Sequence, residues 1–132
     1  MKPRVMVVED QEMVMEQICD FLEWIGCEVV ERAFNGEEAI EKYDHSGIEL
    51  VTMDLMMPEL DGAEATRRIL QNDPEAKIVV FTSIDVDSDS GKENGLVRKA
   101  LDYGANSAVC KFSKTGISDE LAKIFGKRLD LQ

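Results

Sequence analysis

Five short apolar runs alternate along the chain with five stretches whose apolar residues recur at helical spacing. The runs are VMVV, CEVV, LVTM, IVVF and AVC, at positions 5–8, 27–30, 50–53, 78–81 and 108–110. Apart from Glu28 and Thr52 they are continuously apolar, which is typical of strands that are buried on both faces of a sheet. Strands that alternate with helices are joined by right-handed crossovers into a parallel sheet. The sequence therefore predicts a three-layer, doubly wound α/β fold with a five-stranded parallel sheet.

The stretches between the runs indicate five amphipathic helices. Each has an apolar face whose residues lie three or four positions apart. The faces contain Val14, Ile18, Leu22 and Ile25; Ala39, Ile40 and Tyr43; Ala65, Ile69 and Leu70; Leu96, Ala100 and Leu101; and Leu121, Ile124 and Phe125. The segment 83–95 is rich in Asp, Ser and Gly and has no apolar period before Leu96. We therefore expect a solvated loop in that segment, before the fourth helix.

The composition favours one globular domain over residues 1–132, with 44% apolar and 32% charged residues. No apolar segment approaches the roughly 18 residues that a membrane span needs. The N-terminal sequence MKPRVMVVED also lacks a secretory signal, so we expect a cytoplasmic protein. The net charge of −12 opposes direct binding to a nucleic-acid backbone.

The cysteines, the tryptophan and one methionine of the first helix are interpreted as packing residues. Cys19, Cys27 and Cys110 lack the paired spacing of a zinc site, so we expect them to be small buried hydrophobic side chains. Trp24 is expected to pack in the core or at the end of the first helix. Met13 is likewise predicted to pack.

Candidate site residues follow four of the five apolar runs. Glu9 and Asp10 follow the first run, Asp54 the third, Thr82 the fourth and Lys111 the fifth. In a parallel sheet these positions lie at one edge, where ligands bind at the topological switch point. Neighbouring strands are about 4.8 Å apart. We therefore expect three carboxylates, a hydroxyl group and an ammonium group to converge.

Each of these residues also has an ordinary structural interpretation. An acid at the end of a strand can cap the following helix. For Asp54 this is disfavoured, because the DGAE segment at 61–64 already has the spacing of a capping box. Asp10 leads directly into a helix, so a capping role for it stays open, alone or together with metal binding. Thr82 could be a turn residue and Lys111 a surface lysine.

The chemistry of such a cluster points to a metal ion and a phosphoryl group. Carboxylates that share a site raise one another's pKa unless a cation lies among them. Oxygen ligands alone suit Mg²⁺, which accepts one or two carboxylates together with phosphate oxygens and water. A carboxylate beside Mg²⁺ and an ammonium group can attack a phosphoryl group, because the cations stabilise charge on its oxygens. Asp54 is then the candidate phosphoacceptor.

The motifs VVED at 7–10, MDLMMPELDG at 53–62, FTS at 81–83 and CK at 110–111 resemble those of the response-regulator receiver domain of two-component signalling. The resemblance covers nearly the whole chain, with the motifs in the same order. It implies a flavodoxin-like sheet with the strand order 2-1-3-4-5. It also implies that a phosphohistidine of a histidine kinase or histidine phosphotransfer protein phosphorylates Asp54.

The resemblance further implies roles for the other residues. Glu9, Asp10, the phosphoacceptor and the backbone carbonyl of Met56 would hold Mg²⁺. Thr82 would hydrogen-bond a phosphoryl oxygen, and Lys111 would pair with it. Phosphorylation would move Thr82 and change the surface formed by the fourth helix, fifth strand and fifth helix, where a downstream protein binds. The domain would be a self-phosphorylating signalling module with weak autophosphatase activity, not an enzyme.

The chain departs from the family pattern at four positions. Ala108 replaces an aromatic residue, and Phe112 replaces the proline that usually follows the lysine. We expect the metal and phosphate chemistry to be retained and the relay from Thr82 to the surface to differ. Met56 and Ile84 occupy positions where polar residues influence hydrolysis of the phosphoryl group. Because neither can hold a water molecule by a hydrogen bond, we expect slow loss of phosphate.

Two other functions stay open. A pseudo-receiver would bind partners without phosphorylation, although the complete set of site residues disfavours it. A magnesium-dependent phosphohydrolase would use Asp54 as nucleophile, but it would want an acid two positions later, where the chain has Met56. Only GKRLDLQ follows the last predicted helix, so we expect a regulator without an attached effector domain.

Overall fold

A parallel five-stranded sheet with the order β2-β1-β3-β4-β5 organises the computed structural model, which describes residues 1–83 and 91–130. All four pairs of neighbouring strands are parallel. The strands are β1 (Arg4–Val8), β2 (Glu28–Ala33), β3 (Leu50–Asp54), β4 (Ile78–Thr82) and β5 (Ser107–Cys110). The helices are α1 (Glu12–Trp24), α2 (Gly36–Lys42), α3 (Gly62–Asn72), α4 (Gly91–Tyr103) and α5 (Lys114–Phe125). The predicted fold class and strand order are confirmed.

The helices cover both faces of the sheet. Side chains of successive strand residues point to opposite faces. Val5 and Val7 of β1 accordingly pack in a cluster with residues of α1 and α5. Met6 and Val8 of the same strand pack in a second cluster with residues of α2 and α3. This two-sided burial explains why the strands have continuous apolar sequences, since each fully buried side chain of this kind contributes about 1.5–3 kcal/mol.

The helix caps leave the acidic residues of the predicted site free for other roles. Asp61 caps α3, as predicted: its side chain accepts a hydrogen bond from the backbone N–H of Glu64 at 2.9 Å. The N-cap of α1 is Gln11, whose side chain makes no capping hydrogen bond. Asp10 therefore is not the N-cap of α1, and that alternative is wrong.

The fourth helix begins earlier than its apolar pattern predicts. It starts at Gly91, so the expected loop at 83–95 is wrong for residues 91–95. The residue types in that segment include Lys and Glu, which favour helix. The remainder of that loop expectation, including Ile84, falls at 84–90, outside the described residues.

Packing predictions for α1 and for the cysteines are confirmed only in part. The buried residues of α1 are Met15, Ile18, Cys19 and Leu22. Met13 is 78% exposed and Trp24 is 59% exposed, so burial in the core was the wrong expectation for both. At 100° per residue, both lie on the side of the helix opposite its buried face. Trp24 is nevertheless the last residue of the helix and stacks on a neighbouring ring, as one expected alternative allowed.

Two of the three cysteines are buried as predicted. Burial raises the pKa of Cys19 to about 11 and that of Cys27 to about 12, so both thiols stay protonated near neutral pH. Cys110 is only partly buried at the end of β5, so full burial was the wrong expectation there. None of the helices in the described part of the chain has the length and apolarity needed to span a bilayer.

Candidate metal and phosphorylation site

The predicted site residues lie at the carboxyl edge of the sheet. Glu9 follows β1, Asp54 ends β3, Thr82 ends β4 and Lys111 follows β5. These four strands are neighbours in the order β1-β3-β4-β5. Because β2 and β3 lie on opposite sides of β1, the boundary between β1 and β3 is the switch point at which ligands bind in such sheets. The acidic residues therefore lie at the switch point between β1 and β3, at the carboxyl edge of the sheet.

Three carboxylates meet at this boundary. Glu9, Asp10 and Asp54 each offer an oxygen, and these atoms all lie within 4.8 Å of one another. Glu9 is fully buried, Asp54 is 2% exposed and Asp10 is partly buried. The predicted acidic cluster is therefore present in the fold.

Lys111 lies against two of these carboxylates. Its Nζ atom is 3.0 Å from Glu9 Oε1 and 3.4 Å from Asp54 Oδ1, and its side chain is 8% exposed. The second oxygen of Glu9 accepts a hydrogen bond from the backbone N–H of Gln11 at 3.0 Å. The second oxygen of Asp54, Oδ2, is buried and has no hydrogen-bond partner among the described residues.

The donor set fits a small divalent cation. When all three carboxyl groups are ionised, they carry three formal negative charges, and Lys111 supplies one positive charge. An unpaired buried oxygen such as Asp54 Oδ2 is costly unless it is hydrogen-bonded or bound to a cation. Hard oxygen ligands of this kind prefer Mg²⁺ or Ca²⁺ over softer metals.

The protonation of Asp54 depends on its surroundings. Burial and, after it, the charge of Glu9 together raise the pKa of Asp54 to about 8, against the opposing charge of Lys111. Burial lowers the pKa of Lys111, but the nearby charges of Asp54 and Glu9 outweigh that effect and raise it. Without a metal ion, Lys111 is therefore charged at neutral pH and Asp54 is largely protonated. A cation that replaces this proton leaves Asp54 as a carboxylate, the form that acts as a nucleophile.

The end of β4 is tied directly to the residue that follows β5. Thr82 is fully buried, and its backbone carbonyl accepts a hydrogen bond from the backbone N–H of Lys111 at 2.8 Å. This hydrogen bond connects the end of β4 to the start of the connection between β5 and α5.

The loop after β3 holds Asp54 through its backbone. The carbonyl of Leu55 accepts hydrogen bonds from the N–H groups of Met57 at 3.2 Å and Gly62 at 3.0 Å. A Cβ atom at Gly62 would lie 2.0 Å from the carbonyl oxygen of Asp54, so only glycine permits this close approach. Met56 lies in the same loop, two residues after Asp54, and its side chain is 48% exposed.

The two unusual residues near Lys111 differ in environment. Ala108 packs, partly buried, against the cluster that contains Val80 and Val97. Phe112 is 61% exposed, and its ring centroid is 5.9 Å from Lys111 Nζ. No peptide bond among the described residues is cis, so the Lys111–Phe112 bond is trans.

Sequence reasoning missed two features of the site. The first is the direct ion pair between Lys111 and Glu9: the sequence predicted that both converge on this edge, but it assigned Lys111 to a phosphoryl oxygen. The second is the exposed aromatic surface around Phe112. For the part of this surface on α1, a helical projection of the sequence indicates the exposure, because it places Met13 and Trp24 opposite the buried face.

The raised pKa of Asp54 predicts a gain in stability on its replacement. We expect Asp54→Asn to raise the free energy of unfolding of the metal-free protein by on the order of 2 kcal/mol near pH 9. The folded-state pKa lies above the ordinary value of 3.8. Protonated Asp54 therefore stabilises the fold fully below about pH 4, and this contribution is lost as the pH rises through about 8.

Urea unfolding in EDTA at several pH values measures the effect. The advantage of Asp54→Asn over the wild type should be small near pH 4 and grow toward about pH 9. Asp119→Asn, at an exposed aspartate on α5, serves as the control and should show little change at any pH. A difference between Asp54→Asn and the wild type that is independent of pH would contradict the assignment.

Comparison with known proteins agrees with this arrangement. A family model described as the response regulator receiver domain matches residues 5–123. The chemotaxis protein CheY of Treponema pallidum is 41% identical over 110 residues, which is 82% of this chain and 72% of that protein. The chemotaxis protein CheY of Thermotoga maritima is 33% identical over 125 residues, covering 94% of this chain and 98% of that protein.

Solved structures show the same architecture. A chain in the CheX–CheY–BeF₃–Mg complex from Borrelia burgdorferi aligns with a TM-score of 0.81 at 26% identity, over 95% of this chain and 90% of that chain. A response regulator receiver domain protein from Clostridium thermocellum also aligns with a TM-score of 0.81, and at 20% identity it supports the fold alone. Since the family match extends from the first strand into the fifth helix, the chain belongs to the response regulator receiver domain family and is a CheY-like receiver of two-component signalling.

Proposed function

We propose that this protein is a phosphorylation-controlled binding module that accepts a phosphoryl group on Asp54. The donor is a phosphohistidine of a histidine kinase or histidine phosphotransfer protein. The observation that carries the proposal is the position of Asp54: its carboxylate lies within 4.8 Å of the oxygens of Glu9 and Asp10 and 3.4 Å from Lys111 Nζ. This combination of a nucleophile, metal ligands and a fixed cation is what phosphoryl transfer requires.

Magnesium is the cofactor of the proposed reaction. The carboxylates of Glu9, Asp10 and Asp54 and the backbone carbonyl of Met56 would hold it. When bound, Mg²⁺ supplies positive charge next to the phosphoryl oxygens. The excess negative charge of the acidic cluster and the unpartnered Oδ2 atom of Asp54 support this assignment.

The protein's own residues bind and orient the phosphoryl group. One Asp54 oxygen forms a bond to phosphorus while the P–N bond of the phosphohistidine breaks, and the imidazole keeps the electron pair of that bond. Lys111 turns its ammonium group from the carboxylates to a phosphoryl oxygen, and the Thr82 hydroxyl group hydrogen-bonds another. The near-complete burial of Lys111 and Thr82 strengthens these interactions, because little water competes with them.

Phosphorylation changes the surface that a downstream protein contacts. Thr82 is bonded through its carbonyl to Lys111, so a shift of Thr82 reaches β5 and the start of α5. A downstream protein would bind the face formed by α4, β5 and α5. The solved complex of CheX with a CheY bearing BeF₃ and Mg shows that a relative of this chain binds another protein. We propose a cytoplasmic signalling role with weak self-dephosphorylation, since Met56 offers no side-chain group that could hold the attacking water.

A small phosphodonor tests the proposal. We expect acetyl phosphate with Mg²⁺ to add one phosphoryl group to the wild-type protein, as measured by intact-protein mass spectrometry. Asp54→Asn should remain unlabelled, and chelation of Mg²⁺ should prevent labelling of the wild type. Asp44→Asn, at an exposed aspartate, is the matched control and should be labelled normally. Equal labelling of Asp54→Asn and the wild type would contradict the assignment of the phosphoacceptor.

A further inference from the structure

Strand β2 forms one edge of the sheet in the described part of the chain. It has six residues, whereas β5 at the opposite edge has four. Its sequence EVVERA includes Val29 and Val30, residue types that favour strand pairing. The outer side of an edge strand carries backbone N–H and C=O groups that can pair with a strand of another chain. How this edge avoids such pairing is therefore a question that the structure can answer.

The hydrogen bonds between β2 and β1 show which backbone groups of β2 point outward. The N–H group of Glu28 donates to the carbonyl of Pro3 at 2.7 Å, and the carbonyl of Ala33 accepts from the N–H group of Glu9 at 3.0 Å. Glu28 and Ala33 therefore direct these groups toward β1. Backbone groups of consecutive strand residues point to opposite sides. Arg32, which precedes Ala33, consequently directs its N–H and C=O groups to the outer edge.

Two side chains occupy the outward backbone groups of Arg32. A carboxylate oxygen of Glu31 accepts a hydrogen bond from the N–H group of Arg32 at 3.2 Å. The Nζ atom of Lys42, the last residue of α2, donates to the carbonyl of Arg32 at 2.8 Å. The same Nζ atom lies 3.8 Å from Glu31 Oε1 and 3.5 Å from Glu38 Oε1. We call Glu31 and Lys42, with the backbone of Arg32, the edge clamp.

The edge clamp affects strand pairing more than it affects stability. The side chains of Glu31 and Lys42 are 40% and 38% exposed, and an ion pair at such a surface stabilises the fold little. An incoming strand, however, must break both side-chain hydrogen bonds before it can bond to Arg32. It therefore gains no net hydrogen bond at this residue. A lysine at the edge is also one of the ways in which proteins prevent edge-to-edge association.

A second copy of this chain is the partner that fits the edge once the clamp is removed. Two β2 strands related by a two-fold axis run antiparallel, and such a contact closes on itself as a dimer. Antiparallel pairing brings Glu28 of each copy close to Arg32 of the other, and opposite charges across strands favour pairing. The guanidinium group of Arg32 is already paired with Glu16 of its own chain. It has five N–H donors, so it can bind a second carboxylate.

We propose that the outer edge of β2 is a strand-docking surface for a second copy of this chain, and that the edge clamp keeps this surface closed. With the clamp in place, the sheet ends at β2. Without it, the sheets of two copies join through their β2 strands. The inference does not depend on the function proposed for Asp54.

The experiment measures the self-association of a variant that lacks both clamp side chains, Glu31→Ala with Lys42→Ala. This variant loses one acidic and one basic residue, so its net charge stays at −12. Glu120→Ala with Lys123→Ala is the matched control, because it removes another surface ion pair, on α5, with the same charge balance. Light scattering after size exclusion gives the mass of each protein at increasing concentration. Both clamp side chains are partly exposed, so the variant should stay folded, and urea unfolding checks this.

We expect the wild type and the control variant to stay monomeric, and the clamp variant to approach twice the monomer mass at about 1 mM. Lys42→Ala alone leaves Glu31 on the N–H group of Arg32, so it should associate at least about threefold more weakly than the double variant. Amide hydrogen exchange locates the contact. The amides of β2 in the clamp variant should exchange at least about tenfold more slowly at high concentration than at low concentration.

A clamp variant that is folded and stays monomeric at the highest concentration would overturn the inference. Association of the control variant to the same extent would also overturn it, because the effect would then follow from the loss of any surface ion pair. Association of the clamp variant without slower exchange in β2 would place the contact elsewhere and would equally contradict the proposal.

Discussion

Replacing Lys111 with methionine should lower the free energy of unfolding by about 3–5 kcal/mol at neutral pH. The ammonium group of Lys111 lies 3.0 Å from the fully buried Glu9 and 3.4 Å from Asp54. Methionine has a similar length and volume, so the change removes the charge with little loss of packing. The buried Glu9 carboxylate then loses its cation, and removing one partner is the costly way to break a buried ion pair.

Urea unfolding of Lys111→Met in EDTA measures this loss. Lys123→Met is the control, because the side chain of Lys123 is 72% exposed and its pair with Glu120 contributes little. Adding Glu9→Gln to Lys111→Met should recover part of the lost stability, since it removes a charge that has lost its partner. A loss no larger than that of Lys123→Met would show that the buried pair does not stabilise the fold.

Gly62→Ala should lower the free energy of unfolding by about 3 kcal/mol or more. The added methyl group would lie 2.0 Å from the carbonyl oxygen of Asp54, which belongs to the backbone and cannot rotate away. Either α3 or the end of β3 must move. Because such movement displaces the phosphoacceptor, labelling by acetyl phosphate should also fall at least about tenfold.

Gly95→Ala is the matched control for this prediction. Gly95 lies inside α4, and an added Cβ atom there meets nothing within 4 Å. Alanine should therefore stabilise the protein by about 0.5–1 kcal/mol, because it restricts the unfolded chain and favours helix. Chemical unfolding of the two variants should give opposite changes in the free energy of unfolding. Phosphate labelling then measures the displacement of Asp54 in Gly62→Ala. Equal stability of Gly62→Ala and Gly95→Ala would contradict the close approach of α3 to β3.

Local sequence was sufficient to predict the architecture and the grouping of the site residues. The apolar runs and the helical periods between them predicted five strands and five helices, because burial on both faces leaves a direct mark on residue type. The strand order came from the family resemblance. The clustering of Asp54 with Glu9 and Asp10 followed from their positions at the ends of parallel strands. These are consequences of chain order, so they could be inferred without coordinates.

Features that depend on contacts between distant segments required the folded structure. Lys111 and Glu9 are 102 residues apart, and their contact exists only because β1 and β5 end at the same edge of the sheet. The rise in the pKa of Asp54 comes first from its burial, which depends on every element around it. The groove beside Trp24 is lined by residues of both α1 and α5, so it exists only in the folded chain. A residue's type states what chemistry it can perform, whereas its solvation and its neighbours, which the tertiary fold sets, determine whether it does so.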